Sequence, residues 1–253
     1  RISSALIRGS TMLETTNFNF SDKNVLVIGA SLGGIGSAIA EGFKSAGANV
    51  VITGIEEKPI EKLRKKFAYF KLDVQEAKDF DNLNQHTATL DILVNCAGVS
   101  DRGKGSSIPV FENILDINLT GTYRSCSAFF SKLQSSQGSI INIGSMYGNF
   151  GSPKVPAYGA AKSGIHQLTK SLAIAWAEHG IRVNAIAPGF IDTPGTRVGR
   201  SDPNHYNAVV SRTPLGRWGK PVDLVGATLF LASLDAAFIT GVTLNVDGGY
   251  SAV

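Results

Sequence analysis

Three side chains in the stretch 139–162, SIINIGSMYGNFGSPKVPAYGAAK, could do proton chemistry together: Ser145, Tyr158 and Lys162. Tyr158 and Lys162 are four residues apart, which on a helix puts them on one face, about 6 Å apart along the axis. An ammonium beside a phenol favours phenolate and lowers the phenol pKa. A phenol tuned towards neutral pH can pass a proton to or from an alcohol oxygen. Ser145 could hold that same oxygen by a hydrogen bond. Such a site interconverts an alcohol and a carbonyl, and it needs a hydride carrier bound elsewhere on the chain. Tyr and Lys are common enough that the pair alone has little specificity, so the weight falls on the elements around it.

Those elements alternate. Apolar, β-branched runs at 24–28, 49–53, 69–72, 90–95, 139–143, 182–187 and 242–246 read as strands. Between them, helices are expected at 35–46, 60–67, 79–87, 110–133, 154–179 and 222–231. Short continuous apolar strands alternating with amphipathic helices imply an α/β fold: a parallel sheet with right-handed crossovers and helices on both faces. No repeat or linker interrupts the pattern, so 12–253 reads as one domain. The first eleven residues, RISSALIRGST, differ in character from the rest of the chain and read as an appended tail ahead of a start at Met12.

Composition narrows the function. With 43% apolar and 17% charged residues, 253 residues suffice for a sizeable core. The formal charge of +4 falls to +2 without Arg1 and Arg8, and no basic stripe interleaved with aromatics suggests nucleic acid. No apolar run is long enough to span a membrane. Cys96 and Cys126 sit in apolar contexts and read as buried cytosolic thiols. The four histidines make no ligand pattern, so no metal is assigned.

In a sheet of this kind, ligands bind beyond the carboxyl ends of the strands. The loop GASLGGIG, 29–36, lies between a strand and a helix, where a dinucleotide pyrophosphate would rest on the helix N-terminus. Asp73 could accept from an adenine amino group, or simply end a strand. Asn95-Cys96-Ala97-Gly98 offers small residues against a ribose and adenine, or a tight turn. Asn118, a polar amide in an apolar helix, needs partners; it either bonds a neighbouring carbonyl or holds a water that links Lys162 to solvent.

This ordered set resembles the short-chain dehydrogenases/reductases from about residue 21 to 250: the glycine loop, Asp73, NCAG at 95–98, Asn118, Ser145, Tyr158, Lys162, PGFIDT at 188–193 and ITGVTLNVDGG at 239–249. The resemblance implies a Rossmann-type sheet of seven parallel strands, a nicotinamide cofactor and a catalytic tetrad of Asn118, Ser145, Tyr158 and Lys162. Lys162 would also bond the nicotinamide ribose, and Asn118 would anchor a proton-relay water. The cofactor would meet Gly29, Ser31, Gly34, Ile35 and Gly36, then Gly54, Ile55, Asp73, Val74, Asn95, Ala97 and Gly98. Its nicotinamide end would meet Pro188, Gly189, Ile191 and Thr193.

Three positions depart from the family pattern. Four residues rather than three separate Gly29 from Gly34, which leaves open whether Leu32 or Gly33 faces the phosphates. Gly144 stands where Ser is common. After the second strand, Gly54-Ile55-Glu56 has neither the Asp common in NAD users nor the Arg common in NADP users. Glu56 and Glu57 would repel a 2′-phosphate, so NAD is expected, with Lys58 the argument for NADP.

The segment 193–212 reads as the loop over the substrate. Its Arg197, Arg200, His205, Tyr206 and Arg212, with few bulky apolar residues, suggest either a polar substrate, for which an anion is one option, or a solvated loop whose charges touch nothing. Tyr147 and Asn149 would line the wall after Ser145. Together with RTPLGRWGKPVDL at 212–224, this most resembles the bacterial sugar-acid dehydrogenases of the 2-deoxygluconate, 2-keto-3-deoxygluconate and gluconate 5-dehydrogenase types. The rival readings are a 3-oxoacyl-carrier or carbonyl reductase using NADPH and, more remotely, a cofactor-binding protein without catalysis. The resemblance further implies a homotetramer, and no targeting signal is visible, so a cytoplasmic location is expected.

Overall fold

The computed structural model describes residues 18–100 and 107–253; the expected tail and Met12 lie outside them. Seven parallel strands form one sheet: β1 (Asn24–Ile28), β2 (Asn49–Gly54), β3 (Ala68–Lys71), β4 (Ile92–Asn95), β5 (Ser139–Ile143), β6 (Arg182–Pro188) and β7 (Thr243–Val246). Their order across the sheet is β3-β2-β1-β4-β5-β6-β7. The order reverses between β1 and β4, which creates the crevice at the carboxyl ends of those strands.

In the central strands successive residues go to opposite faces and are buried on both, whereas the edge strands β3 and β7 are only partly covered. On β1, Val25 and Val27 join the core beneath α1 (Ile35–Ser45), whereas Leu26 and Ile28 join the core on the other face. On β5, Ile141 and Ile143 face the first core and Ile140 the second. Truncating one of these to Ala would cost about 2–5 kcal/mol.

The expected helix at 60–67 shrinks to α2 (Glu61–Arg64), and the one at 79–87 becomes α3 (Ala77–His86). The expected long helix at 110–133 is three pieces: α4 (Ile108–Leu115), α5 (Gly121–Ala128) and α6 (Phe130–Ser136). A π-helical turn, Asp116–Thr120, joins the first two. Its cause is local. Asn118 Nδ2 donates to the Ile114 carbonyl at 3.0 Å, and Thr122 Oγ1 donates to the Asn118 carbonyl at 2.7 Å. Such side-chain bonds compete with the helical ladder, and π turns of this kind are frequent at functional sites.

The helix of Tyr158 and Lys162 is α7 (Pro156–Ala175), opened by a proline that needs no N–H partner at that position. Beyond β6 lie α8 (Arg197–Arg200), α9 (Pro203–Arg212) and α10 (Val225–Ala232), the last packed on the α1 face. No helix among the described residues is long and apolar enough to cross a membrane.

Candidate active site

Lys162 is buried on α7 and donates from Nζ to the Ile143 carbonyl at 2.7 Å, at the end of β5. The same nitrogen lies 5.5 Å from the centroid of the Tyr158 ring. Burial pushes its pKa down to about 8. Two residues past Ile143, buried Ser145 accepts the Tyr147 N–H at 3.2 Å and so caps a single 3₁₀ turn, Met146–Gly148. The Tyr147 ring stands edge-on to Tyr158, with centroids 6.5 Å apart. One short loop thus ties Ser145, Tyr147, Tyr158 and Lys162 to the end of β5.

Asn118 reaches the same place from the other side. Its Nδ2 also donates to the Val99 carbonyl at 2.9 Å, just past β4. Its Oδ1 is buried without a hydrogen-bond partner among the described residues. A Cβ at Gly98 would sit 2.6 Å from that oxygen and 3.5 Å from Lys162 Nζ. Gly98 therefore leaves room for Asn118 and Lys162 to converge, and the orphaned acceptor suits a bound water or ligand hydroxyl.

The glycine loop forms a phosphate cradle. Gly29 has φ +85°, and a Cβ there would meet the Ala97 backbone at 2.5 Å; at Gly36 it would meet the Gly29 carbonyl oxygen at 2.4 Å. Gly34 precedes α1 with no side-chain cap and no acidic residue in the first turn, so the helix N–H groups and positive end are left for an anion. The extra loop residue is absorbed at Gly33, which takes φ +83° while Leu32 turns to solvent. The Thr193 methyl lies 3.9 Å from where a Gly34 Cβ would be, so PGFIDT faces the cradle. A pyrophosphate fits these residues.

The corner after β2 is built around the Glu56 expected to oppose a 2′-phosphate. The Ser31 hydroxyl donates to the Glu56 carboxylate, and a Cβ at Gly54 would fall 2.2 Å from that hydroxyl oxygen. The Tyr69 hydroxyl donates to the Gly54 carbonyl at 2.9 Å and to that of Glu56. Burial, Glu56 and Glu57 push the Tyr69 pKa up to about 12. Ile55 is exposed.

The other expected cofactor residues divide. Asp73 accepts the Gln75 N–H at 3.0 Å in a tight turn, so one carboxylate oxygen is already used. Val74 is buried against Gly121. Asn95 bonds Asn142 at 2.9 Å inside the sheet, leaving its Oδ1 orphaned. Pro188 ends β6, where the Gly189 N–H donates to the Val246 carbonyl at 3.1 Å. Ile191 accepts from Thr196 at 2.7 Å and Thr193 is bonded to the same hydroxyl.

The segment 193–212 differs from its expectation. Phe190, Trp218, Tyr250 and Met146 form a buried apolar cluster beneath it, with Tyr147 and Phe150 at its side. His205 stands edge-on to Phe190 and Trp218, and Tyr206 stacks on Trp218 at 6.0 Å. The polar loop rests on an aromatic floor because most of those rings lie outside 193–212 in sequence. Asn149 donates from Nδ2 to Asn245 Oδ1 at 3.0 Å. Arg200 pairs with Asp192 at 2.9 Å, and Arg212 stacks on Tyr250 at 4.3 Å. Arg197 is exposed and has no ion pair among the described residues.

A family model described as enoyl-(acyl carrier protein) reductase matches residues 29–251. The chain belongs to the short-chain dehydrogenase/reductase family. A 2-dehydro-3-deoxy-D-gluconate 5-dehydrogenase of Dickeya dadantii is 34% identical over 250 residues, 93% of this chain and 98% of that one. A 3-oxoacyl-[acyl-carrier-protein] reductase of Rickettsia typhi is 37% identical over 91% of this chain and 98% of its own length. A solved gluconate 5-dehydrogenase from Burkholderia cenocepacia, in complex with NADP and tartrate, superposes with a TM-score of 0.87 at 31% identity, covering 93% of this chain and 98% of that one. This short-chain dehydrogenase/reductase is accordingly an oxidoreductase that uses a nicotinamide dinucleotide on CH–OH groups.

Sequence reasoning missed several residues of this family member's site. Glu56, weighed in the sequence only as a charge opposing a 2′-phosphate, lies twenty residues after Gly36, a usual spacing for an acid near an adenosine ribose. The aromatic floor is scattered over 147–250 and leaves no local signal.

Proposed function

We propose that the chain interconverts a secondary alcohol and a ketone on a small sugar acid, with NAD as hydride carrier. In this reading Tyr158 gives or takes the proton at the substrate oxygen, and Ser145 holds that oxygen. Lys162 favours the phenolate and bonds the nicotinamide ribose. Asn118 anchors a relay water. When bound, the dinucleotide supplies or accepts the hydride.

The observation that carries the reading is the bond of Lys162 to Ile143 beside the Tyr158 ring, with Ser145 on the adjoining loop. The sugar-acid class is supported by exposed Arg197, which has no ion pair among the described residues, and by the activities for which the Dickeya and Burkholderia relatives are named. NAD is supported by the Glu56 carboxylate at the end of β2, which suits ribose hydroxyls and opposes a phosphate. The NADP in the Burkholderia gluconate 5-dehydrogenase favours the other cofactor on the same substrate class, and the Rickettsia relative favours the second reading, an acyl-carrier reductase using NADPH.

Initial rates with gluconate, 2-dehydro-3-deoxy-D-gluconate, polyols and a 3-oxoacyl thioester, each with both cofactors, separate the two. Activity confined to the thioester with NADPH refutes the proposal. Tyr158→Phe should lower kcat by about 10²–10⁴-fold with fold and NADH binding kept; unchanged turnover would move the chemistry elsewhere.

A homotetramer accompanies this reading, supported by exposed Ile108, Tyr123 and Ile174 on α4, α5 and α7 and by Phe238 and Val242 before β7. Sedimentation at micromolar concentration tests it, and a monomer refutes it. Two free thiols, Cys96 and Cys126, suit the cytoplasm.

A further inference from the structure

His166 has no part in the chemistry above, yet it touches the loop that carries Ser145 at three points. It lies on α7 four residues after Lys162 and eight after Tyr158, on the same helix face. Its ring is buried. A Cβ at Gly144 would stand 2.4 Å from Nε2 and 2.7 Å from Cδ2. A Cβ at Gly148 would stand 2.4 Å from Cε1 and 2.7 Å from Nδ1. Neither glycine has a positive φ, so the backbone does not demand glycine at either place. Space does. The imidazole fills what two side chains would occupy, and between those two positions its Nε2 accepts the Ser145 N–H at 3.5 Å.

We propose that His166 is a positioning residue whose ring, clamped between Gly144 and Gly148, sets how far the Ser145 loop stands from the helix of Tyr158 and Lys162. The proposal rests on the reading of those three residues as the reacting site. It also accounts for the glycine at 144: any side chain there and this imidazole exclude one another. Burial, with Lys162 and Lys170 nearby, pushes the His166 pKa down to about 4, so the ring is neutral at working pH and Nε2 is free to accept. A shift of the loop that misplaces Ser145 by about 1 Å would be enough to cost about 10²-fold in rate.

A double-mutant cycle tests this, with Gly144→Ser, His166→Ala and the pair. Gluconate or 2-dehydro-3-deoxy-D-gluconate oxidation gives kcat and KM, NADH fluorescence gives cofactor binding, and thermal unfolding gives Tm. Gly144→Ser alone should lower kcat by about 10²-fold and lower Tm, with NADH binding kept. Adding His166→Ala should bring both to the level of His166→Ala alone, removing the further loss caused by the serine. Equal effects of Gly144→Ser with and without the imidazole overturn the proposal. If Gly144→Ser does not fold, the pair decides: it should fold and turn over like His166→Ala, and its failure to fold is refuting. His166→Gln, which keeps an acceptor, should retain more kcat than His166→Leu at similar Tm; a Leu variant with wild-type kcat also overturns it. Because the coupling is read in Tm as well, it survives if Tyr158→Phe shows the chemistry to be elsewhere, and the two failures stay distinct.

Discussion

The Lys162 ammonium donates to the Ile143 carbonyl at 2.7 Å, so the cation of α7 is fastened to the last residue of β5. Its folded pKa of about 8 lies below the ordinary 10.5 because burial disfavours the charge. Between those values the unfolded chain holds the proton more tightly, so stability rises with pH across that window as the buried charge is released. Wild type should therefore gain on Lys162→Met from pH of about 8 to about 10.5 in urea melts. Parallel curves would mean that the ammonium is not desolvated. The same variant should lose about 10²–10⁴-fold in kcat.

Glu56 accepts from Ser31 across the corner after β2, where the proposed reading puts the adenosine ribose. Glu56→Gln keeps the shape and removes the charge. It should raise kcat/KM for NADP relative to NAD by about tenfold, the equivalent of about 1.4 kcal/mol. Glu56→Arg should go further by supplying a cation to the phosphate. Initial rates with both cofactors measure the ratio, and a ratio that does not move removes Glu56 from cofactor choice.

The sheet is legible in the sequence because parallel strands buried on both faces leave continuous apolar runs, as at 24–28 and 139–143. Ser145, Tyr158 and Lys162 are legible because a helix period and a strand end put them together. The break at Asn118 is not, since it depends on side chains bonding carbonyls that no periodicity records. Nor is the role of His166: its contacts are to glycines eighteen and twenty-two residues away, and a lone histidine reads as core. The lid misleads because His205 and Tyr206 find their partners, Phe190 and Trp218, outside the segment.

His166 also predicts an acid limit. Its folded pKa of about 4 is below the ordinary 6.5, and the nearby charges acting on it, Lys162 and Lys170, are both cationic. Between those values the unfolded chain takes up the proton first, so stability falls as pH drops from about 6.5 to about 4. His166→Leu should lack that part of the slope in urea melts from neutral pH downward. An unchanged slope would assign acid sensitivity to other groups.

Tyr206 on α9 stacks on Trp218 with ring planes 6° apart, and His205 meets the same indole edge-on at 5.9 Å. These contacts fasten the lid to the aromatic floor without an ion pair between α9 and that floor among the described residues. A ring pair of this kind is worth about 0.5–1.5 kcal/mol. Tyr206 is exposed, so its loss leaves the core intact. Tyr206→Ala should therefore raise KM for the sugar acid by about 2- to 13-fold, with KM for NAD and global Tm nearly unchanged. Tyr206→Phe, which keeps the ring, should restore the wild-type value. A fall in Tm matching that of a core truncation would instead show that α9 is part of the folded scaffold and not a lid.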